Sequence, residues 1–281
     1  LLYRKPSGKL LVIGVTGTDG KTTTVNMIHH VLQQSGIRAG MLSTANLKIG
    51  SKEWVNKTKN TMLGWMGTQR MLARMVRAGC RVAVVEVSSE GIATHRTFGI
   101  NFDILVFTNL TPEHIKAHGS FNAYKAVKRS IFTRIATMPR KKLTGFSPQQ
   151  LRKVVIANID DSHAEDFLSV DADYKMGFGI EKEASLFAKD VMRGTHIHQT
   201  NTGVTFTLTH SNEKISISSP MLGSVNVYNI LAASCVGVLF GISLDSIKAV
   251  LEGFSGMAGR MERVRSKKKY DVIVDYAVTP D

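Results

Sequence analysis

Glycine, lysine and threonine residues stand close together near the start of the chain, in the stretch TGTDGKTTT. Gly17 and Gly20 allow the backbone to approach an anion, so that successive N–H groups point at its oxygens. Lys21 is then expected to reach the β- and γ-phosphates of a nucleotide, and the Thr22 hydroxyl to bind Mg²⁺. The strict eight-residue phosphate-loop spacing fails, because Val15 stands where its first glycine would be. A plain glycine turn is the alternative, but Lys21 and Thr22 favour a phosphate site.

Two further polar residues follow predicted buried strands. Glu86 lies near the end of an apolar run, where an unpaired carboxylate is costly unless it forms an ion pair or binds a metal. A capping or ion-paired glutamate is the alternative interpretation. His114 comes just after the end of another predicted strand. Both are therefore candidates for a site at the edge of a sheet.

Lys128 lies on the apolar stripe of its own predicted helix. Its neighbours on that stripe are Phe121, Tyr124, Ile131 and Ile135. A lysine that extends its ammonium group to solvent is the general alternative. In a protected setting, however, a lysine loses its proton more easily and can react with CO₂, and the resulting carbamate is an anion that helps to hold a cation.

Strand-like and helix-like segments alternate along the first 160 residues. The predicted strands cover residues 10–15, 38–44, 81–88, 102–108 and 153–159, and the predicted helices follow Lys21 and cover residues 68–78 and 121–135. This order predicts an α/β fold: a P-loop-containing, mostly parallel sheet with helices on both faces. Ligands bind beyond the carboxyl ends of such strands. The polar residues at those ends are Glu86, Ser88, Asn109, Asn158 and Asp160.

The pattern changes after Asp173. Apolar residues alternate with polar ones at Val204, Phe206 and Leu208, and again after HSNEK, which predicts an antiparallel hairpin added at the edge of the same domain. Helices are predicted over residues 225–240 and 243–252, and one more strand within KKKYDVIVDYAVTPD. Because the chain stops within this last unit, we expect a further domain beyond it.

Composition limits the classes of function. The chain has 281 residues, 43% of them hydrophobic, and a net charge of +14 that suits anionic ligands. Its basic residues are dispersed, with short clusters only at residues 140–142 and 267–269, so nucleic acid is not the expected partner. The longest apolar run, residues 230–242, is too short to enter and span a membrane. Cys80 and Cys235 match no metal or redox spacing, which favours a cytoplasmic protein with buried thiols.

Five motifs together resemble the Mur ligase family, and within it the MurE-type UDP-N-acetylmuramoyl-tripeptide synthetases. They occur in the family's order and spacing, and they are GVTGTDGKTTT, EVSSEGI, FDILVFTNLTPEHIKAHGSFNAYKAVK, LGSVNVYNILAA and GRMERV…VIVDYAVTPD. The resemblance runs from about Leu10 to Asp281. It implies that residues 1–259 form the central ATP-binding domain and residues 260–281 the start of a truncated C-terminal ligase domain.

The resemblance also implies a ligand set. ATP and two Mg²⁺ ions would be the cofactors, with Lys128 carbamylated by CO₂. Lys21, Glu86, His114 and Lys128 would be catalytic, and the metal ligands would be Thr22, Glu86, His114 and Lys128. Nucleotide binding would fall to Gly17, Thr18, Asp19, Gly20, Lys21, Thr22, Thr23, Asn109, Asn226, Arg260 and Asp275. The muramyl-peptide substrate would be bound by Asn60, Thr61, Ser88 and Arg96.

The implied function is an ATP-dependent amide-bond ligase of peptidoglycan precursor synthesis. It would act as a monomer and add an amino acid to UDP-MurNAc-L-Ala-D-Glu through an acyl phosphate. The chain departs from the family's usual residues at Asp19, Met62, Glu90, Glu113 and Val278. Two alternatives stay open: a folylpolyglutamate-synthetase-like ligase, and a nucleotide-binding Mur-like protein without ligase activity.

Overall fold

A computed structural model describes residues 3–58, 60–112, 118–264 and 272–275 of the chain. The main sheet in these ranges has eleven strands in the order β11-β10-β9-β8-β7-β6-β1-β5-β2-β3-β4. The strands are β1 (Leu11–Thr16), β2 (Ala39–Leu42), β3 (Asn46–Ile49), β4 (Lys52–Val55), β5 (Val82–Glu86), β6 (Ile104–Phe107), β7 (Val154–Asn158), β8 (Tyr174–Gly179), β9 (Asp190–Thr200), β10 (Gly203–His210) and β11 (Glu213–Ser219).

Parallel pairing runs through the centre of the sheet, from β2 to β9. Antiparallel strands complete both edges, with β3 and β4 beyond β2 and with β10 and β11 beyond β9. The β1 register pairs Val15 with Glu86 of β5 and Thr16 with Phe107 of β6. The carboxyl ends of three neighbouring strands therefore meet beside the glycine-rich turn.

Helices cover both faces of the sheet. They are α1 (Lys21–Gln34), α2 (Trp65–Arg77), α3 (Ser89–Ala93), α4 (Phe121–Ile135), α5 (Ala164–Leu168), α6 (Val225–Leu239) and α7 (Leu244–Glu252). Side chains of β1 alternate between two cores: Ile13 packs with α1, α6 and α7, and Val12 packs with α2, α4 and α5. In the described residues, no helix combines the length and apolar character needed to cross a bilayer.

The predicted α/β architecture is confirmed, including the hairpin at the sheet edge, where Leu208 of β10 lies opposite Ile215 of β11. The sequence prediction missed the second hairpin, β3–β4, because its strands are only four residues long and mix polar with apolar residues, and every residue of β4 is exposed. It also missed β8 and β9, which join the hairpin to the parallel strands.

The last described segments form a separate two-stranded sheet. Strand β12 (Glu262–Val264) pairs antiparallel with β13 (Val272–Val274). The strand predicted near the end of the chain is therefore present as β13. Val278 lies outside the described residues.

Candidate active site

A cavity of about 270 Å³ opens at the carboxyl ends of β1 and β5, beside the start of α1. Most of the residues predicted for the site line it together. They are Gly17, Thr18, Asp19, Gly20, Lys21, Thr22, Thr23, Asn60, Thr61, Glu86, Ser88, Arg96, Lys128 and Arg260. The nucleotide and substrate residues expected from distant parts of the sequence thus share one cavity.

Two glycines in the turn between β1 and α1 cannot be replaced without strain. Gly17 has φ +155°, and a Cβ atom there would lie 1.9 Å from the Thr108 hydroxyl. Gly20 has φ +75°, a region that L-residues seldom occupy, and its Cβ would lie 2.5 Å from the Asn229 side-chain oxygen. The turn is therefore held against its neighbours, with its backbone close to the cavity.

Asn109 and Thr108, at the end of β6, fix the turn from behind. The Asn109 side-chain oxygen accepts hydrogen bonds from the N–H groups of Thr18 (3.1 Å) and Asp19 (2.8 Å). The Thr108 hydroxyl donates to the Asp19 carbonyl at 2.7 Å. Asn109 does not belong to the cavity lining in the described part of the chain. Its contacts show that it positions the loop backbone.

Glu86 lies at the foot of the cavity and is 1% exposed. The Thr22 hydroxyl lies 3.0 and 3.1 Å from its two carboxylate oxygens. Thr44, just past the end of β2, donates its N–H (2.7 Å) and its hydroxyl (2.8 Å) to the same carboxylate. A hydrogen bond of 3.0 Å joins the Thr44 hydroxyl to that of Thr61. This chain of contacts connects the glycine-rich turn to the predicted substrate side.

The oxygens of Thr22 and Glu86 suit a magnesium ion, because Mg²⁺ binds through a few carboxylate and hydroxyl oxygens together with phosphates and water. The described residues contain no group of three or more His, Cys, Asp and Glu side chains able to hold a metal by themselves. An ion here would therefore depend on oxygens that a ligand supplies.

Lys128 is buried at the other side of the turn, with 1% of its surface exposed. Its Nζ donates to the Gly17 carbonyl at 2.7 Å and lies 4.7 Å from the centre of the Tyr124 ring. The Tyr124 hydroxyl in turn contacts the Thr18 hydroxyl at 3.1 Å. Lys128 thus lines the cavity instead of reaching bulk solvent. His114, the other residue predicted for the second metal, lies outside the described residues, as does Glu113.

The predicted substrate side is organised around Arg96. Its guanidinium donates to the Met62 carbonyl at 2.8 Å and lies 3.4 Å from the Glu90 carboxylate. Two of the positions that depart from the family pattern therefore contact the same arginine. Ser88 caps α3 by accepting the Gly91 N–H at 3.0 Å, and its side chain also lines the cavity.

Asn226 and Asp275 are not among the described residues that line the cavity. The Asn226 side chain is buried, donates to the Leu222 carbonyl at 2.6 Å and accepts from Asn229 at 3.0 Å. Asp275 accepts the N–H of Met261 at 3.0 Å. Arg260 also lines a neighbouring groove formed by Thr202 and by residues 220–222, 255–258 and 260–262.

Sequence reasoning missed several residues of the cavity wall, and the main ones are Thr44, Ser89, His118 and Tyr124. Thr44 follows the end of a short strand, a position that carries little signal in one sequence. Tyr124 was assigned to the apolar stripe, and its ring is buried while its hydroxyl faces Thr18. His118 contacts the Ser89 hydroxyl at 3.1 Å, a pairing that only the folded chain brings together.

Comparison with known proteins identifies a family. Residues 15–237 match the protein family described as the Mur ligase middle domain. A relative from Halalkalibacterium halodurans, named UDP-N-acetylmuramoyl-L-alanyl-D-glutamate--2,6-diaminopimelate ligase, is 37% identical over 279 residues, which are 99% of this chain and 54% of the relative. A UDP-N-acetylmuramyl-tripeptide synthetase from Roseiflexus is 34% identical over 283 residues, 99% of this chain and 53% of that protein.

Solved structures agree in fold. A structure titled as a UDP-N-acetylmuramoyl-L-alanyl-D-glutamate--2,6-diaminopimelate ligase superposes with a TM-score of 0.75 and 26% identity, covering 92% of this chain and 49% of that one. Folylpolyglutamate synthase from Mycobacterium tuberculosis shares the fold with a TM-score of 0.72 at 18% identity, over 98% of this chain and 65% of that one. The chain spans about half the length of the curated relatives it matches.

Proposed function

The chain belongs to the Mur ligase family, and from that premise we propose that it forms the ATP-using part of an amide-bond ligase acting on UDP-MurNAc-L-Ala-D-Glu. A carboxylate oxygen of the glutamate attacks the γ-phosphorus of ATP, and ADP leaves. The amine of an amino acid then attacks the acyl carbon, loses a proton and displaces phosphate. The observation that carries this proposal is the buried contact between Thr22 and Glu86 in the same cavity as Lys21 and Arg96.

The glycine-rich turn binds the phosphates of ATP in this proposal. The turn places backbone N–H groups and the start of α1 beside the cavity, where negative charge is stabilised. Lys21 adds a full positive charge at the same edge. Since phosphoryl transfer depends mainly on positioning and on neutralising developing charge, these groups supply what the first step requires.

Magnesium fits on the Thr22 and Glu86 oxygens, where it would neutralise phosphate charge. We propose a second magnesium site that depends on a carbamate of Lys128 together with His114. The buried Lys128 side chain lines the same cavity as Thr22 and Glu86, so a carbamate formed from its amine and CO₂ would add a negative charge there. A carbamate keeps one N–H group, so its hydrogen bond to the Gly17 carbonyl is compatible with the modification.

Asn60, Thr61, Ser88 and Arg96 bind the muramyl-peptide side in this proposal. Arg96 offers a fork of N–H donors to a substrate carboxylate. Because Glu90 lies beside that fork, part of its charge is already balanced. We therefore expect Glu90→His to tighten binding of the anionic dipeptide substrate several-fold, whereas the control Glu90→Asp, which keeps the negative charge, should not.

We assign the nucleoside end to the groove beside Arg260. Asn226 and Asp275 support its walls through their hydrogen bonds to Leu222 and Met261. Residues 1–259 then constitute the central domain and residues 260–281 the start of the next one. The separate β12–β13 sheet supports a boundary near Arg260.

Hydroxylamine trapping tests the proposal without the incoming amino acid. The chain is incubated with ATP, Mg²⁺, hydroxylamine and either UDP-MurNAc-L-Ala-D-Glu or UDP-MurNAc, and hydroxamate is measured by mass spectrometry. Slow hydroxamate formation is expected only with the dipeptide, and Lys21→Ala and Arg96→Ala should abolish it. Mg-ATP binding with no hydroxamate would instead favour the alternative of a nucleotide-binding protein without ligase activity.

A further inference from the structure

A band of exposed basic side chains lies where the parallel strands begin, at the end of the sheet opposite the candidate active site. Arg38 and Arg81 immediately precede β2 and β5, and Arg152 lies two residues before β7. We call the following six exposed residues the basic rim: Arg38, Lys52, Arg77, Arg81, Lys142 and Arg152.

In the part of the chain that the structure describes, no carboxylate lies within ion-pair distance of any of the six side chains of the basic rim. One carboxylate acts on the basic rim at longer range: Asp173, which forms an ion pair with Arg140, also interacts electrostatically with Arg152. Directly beneath the basic rim, two buried ammonium groups, those of Lys141 and Lys153, share the single carboxylate of Asp103. The interior therefore adds a net positive charge to this edge.

Apolar side chains lie between these charges in two adjoining grooves. Arg38, Lys52 and Arg77 surround the first, whose wall includes Trp54, 38% exposed. Lys142 and Arg152 border the second, which is lined by Leu143, Phe146, Pro148 and Leu151. Arg81 lies between the two grooves. Its backbone N–H donates to the Arg38 carbonyl at 2.8 Å, and its guanidinium lies 4.4 Å from the Phe146 ring centre.

We propose that the basic rim holds the chain against the surface of an anionic phospholipid bilayer. Lysine and arginine side chains near such a surface are attracted to its negative potential. A half-exposed tryptophan among them suits the interfacial region, where an amphipathic ring contacts both headgroups and acyl chains. The contact is peripheral, and the candidate active site at the opposite end of the strands stays open to solvent. This inference does not depend on the proposed function.

The arrangement of the aromatic rings favours a bilayer over a nucleic acid. Single-stranded nucleic acids bind by stacking bases on exposed aromatic faces. Here the Arg74 guanidinium lies 5.3 Å from the Trp54 ring centre, and Arg81 lies over Phe146. Phe240 packs edge-on against Phe146 as well. One face of the Trp54 ring and one face of the Phe146 ring are therefore already covered within the protein, which leaves less aromatic surface for stacking a base.

Vesicle sedimentation tests the proposal. The 281-residue chain should bind vesicles of 30% phosphatidylglycerol in phosphatidylcholine and not pure phosphatidylcholine, with binding that weakens as salt rises. The triple variant Lys52→Gln, Arg77→Gln, Lys142→Gln should lose about a hundredfold in partitioning, at roughly fivefold per charge. The matched variant Lys57→Gln, Arg70→Gln, Lys182→Gln removes equal charge from exposed positions away from the strand starts and should lose much less.

Equal losses in the two triple variants would overturn the proposal, as would wild-type chain that ignores the anionic vesicles. So would a single-stranded oligonucleotide that displaces the vesicles and loses affinity in the rim variant alone. The two tryptophans give an independent readout, because Trp54 lies at the rim and Trp65 begins α2 at the other end. Anionic vesicles should shift the emission of Trp65→Phe chain to the blue and leave that of Trp54→Phe chain unchanged; the reverse pattern would contradict the assigned surface.

Discussion

Replacing Thr44 by valine removes one hydroxyl from the carboxylate at the foot of the cavity. That hydroxyl donates to Glu86 at 2.8 Å, and Glu86 is 1% exposed, so water cannot easily take its place. Hydrogen bonds to charged groups contribute about 1.5–3 kcal/mol. We therefore expect Thr44→Val to lower the free energy of unfolding by about 2 kcal/mol and the melting temperature by roughly 4–8 °C.

The same substitution should weaken magnesium-dependent nucleotide binding. With the Thr44 hydroxyl gone, Glu86 keeps its contacts to Thr22 and to the Thr44 N–H but loses part of its orientation. Loss of a group that orients a metal ligand typically costs about 10–100-fold in metal affinity. Calorimetric titration with ATP, in the presence of Mg²⁺ and then of EDTA, should show this loss only with the metal.

Thr44→Ser is the matched control, since it keeps the hydroxyl and changes the side chain by one methyl group. It should retain nearly all of the Mg²⁺-dependent affinity and most of the stability. If the valine and serine variants bind Mg-ATP equally well, the Thr44 hydroxyl does not orient Glu86, and the proposed connection between the turn and the substrate side is wrong.

Three further predictions concern the turn, Lys128 and the buried charges. Gly17→Ala should destabilise the fold by about 1–3 kcal/mol in urea unfolding, because the new methyl group clashes with Thr108; unchanged stability would contradict the geometry of the turn. Lys128→Ala should lose most of the rate of hydroxamate formation and regain part of it when acetate is added, whereas Lys125→Ala on the same helix should keep its rate; a full rate of Lys128→Ala without acetate would exclude the carbamate. Burial lowers the pKa of Lys141 from 10.5 to about 8. Between pH 8 and pH 10.5 the unfolded chain therefore binds more protons than the folded one, and the free energy of unfolding should rise with pH by up to about 1.4 kcal/mol per pH unit relative to Lys141→Met. Parallel pH profiles of the two proteins would contradict this.

The sheet and its nucleotide turn could be predicted because both are encoded locally. The β1 segment has no polar residue before Thr16, all six of its residues are buried, and the turn with Gly17 and Gly20 follows it. The β3–β4 hairpin could not be predicted, because its exposed residues Lys52 to Val55 carry no apolar alternation, and pairing with β2 determines its position.

A site residue could be predicted where its type in its local sequence implies one chemistry. It could not be predicted where its role depends on which distant residues it contacts in the folded chain. Lys21 and Glu86 are unusual in their local sequence, so each could be singled out. Thr44 and His118 acquire their place only from contacts with residues far along the chain. The basic rim likewise could not be predicted from the sequence, because its six residues come together only when the strands of the sheet align.

Calorimetric titration of Mg-ATP into wild-type chain and Lys21→Ala chain tests the central claim most directly. Lys21 lies at the start of α1 in the cavity wall, and losing a charged hydrogen bond to phosphate costs about 1.5–3 kcal/mol. We predict that Lys21→Ala weakens binding about 10–100-fold, while Lys52→Ala, which removes an exposed lysine of the basic rim, leaves the affinity unchanged. Equal affinity of wild-type and Lys21→Ala chains for Mg-ATP would contradict the assignment of this cavity to a nucleotide.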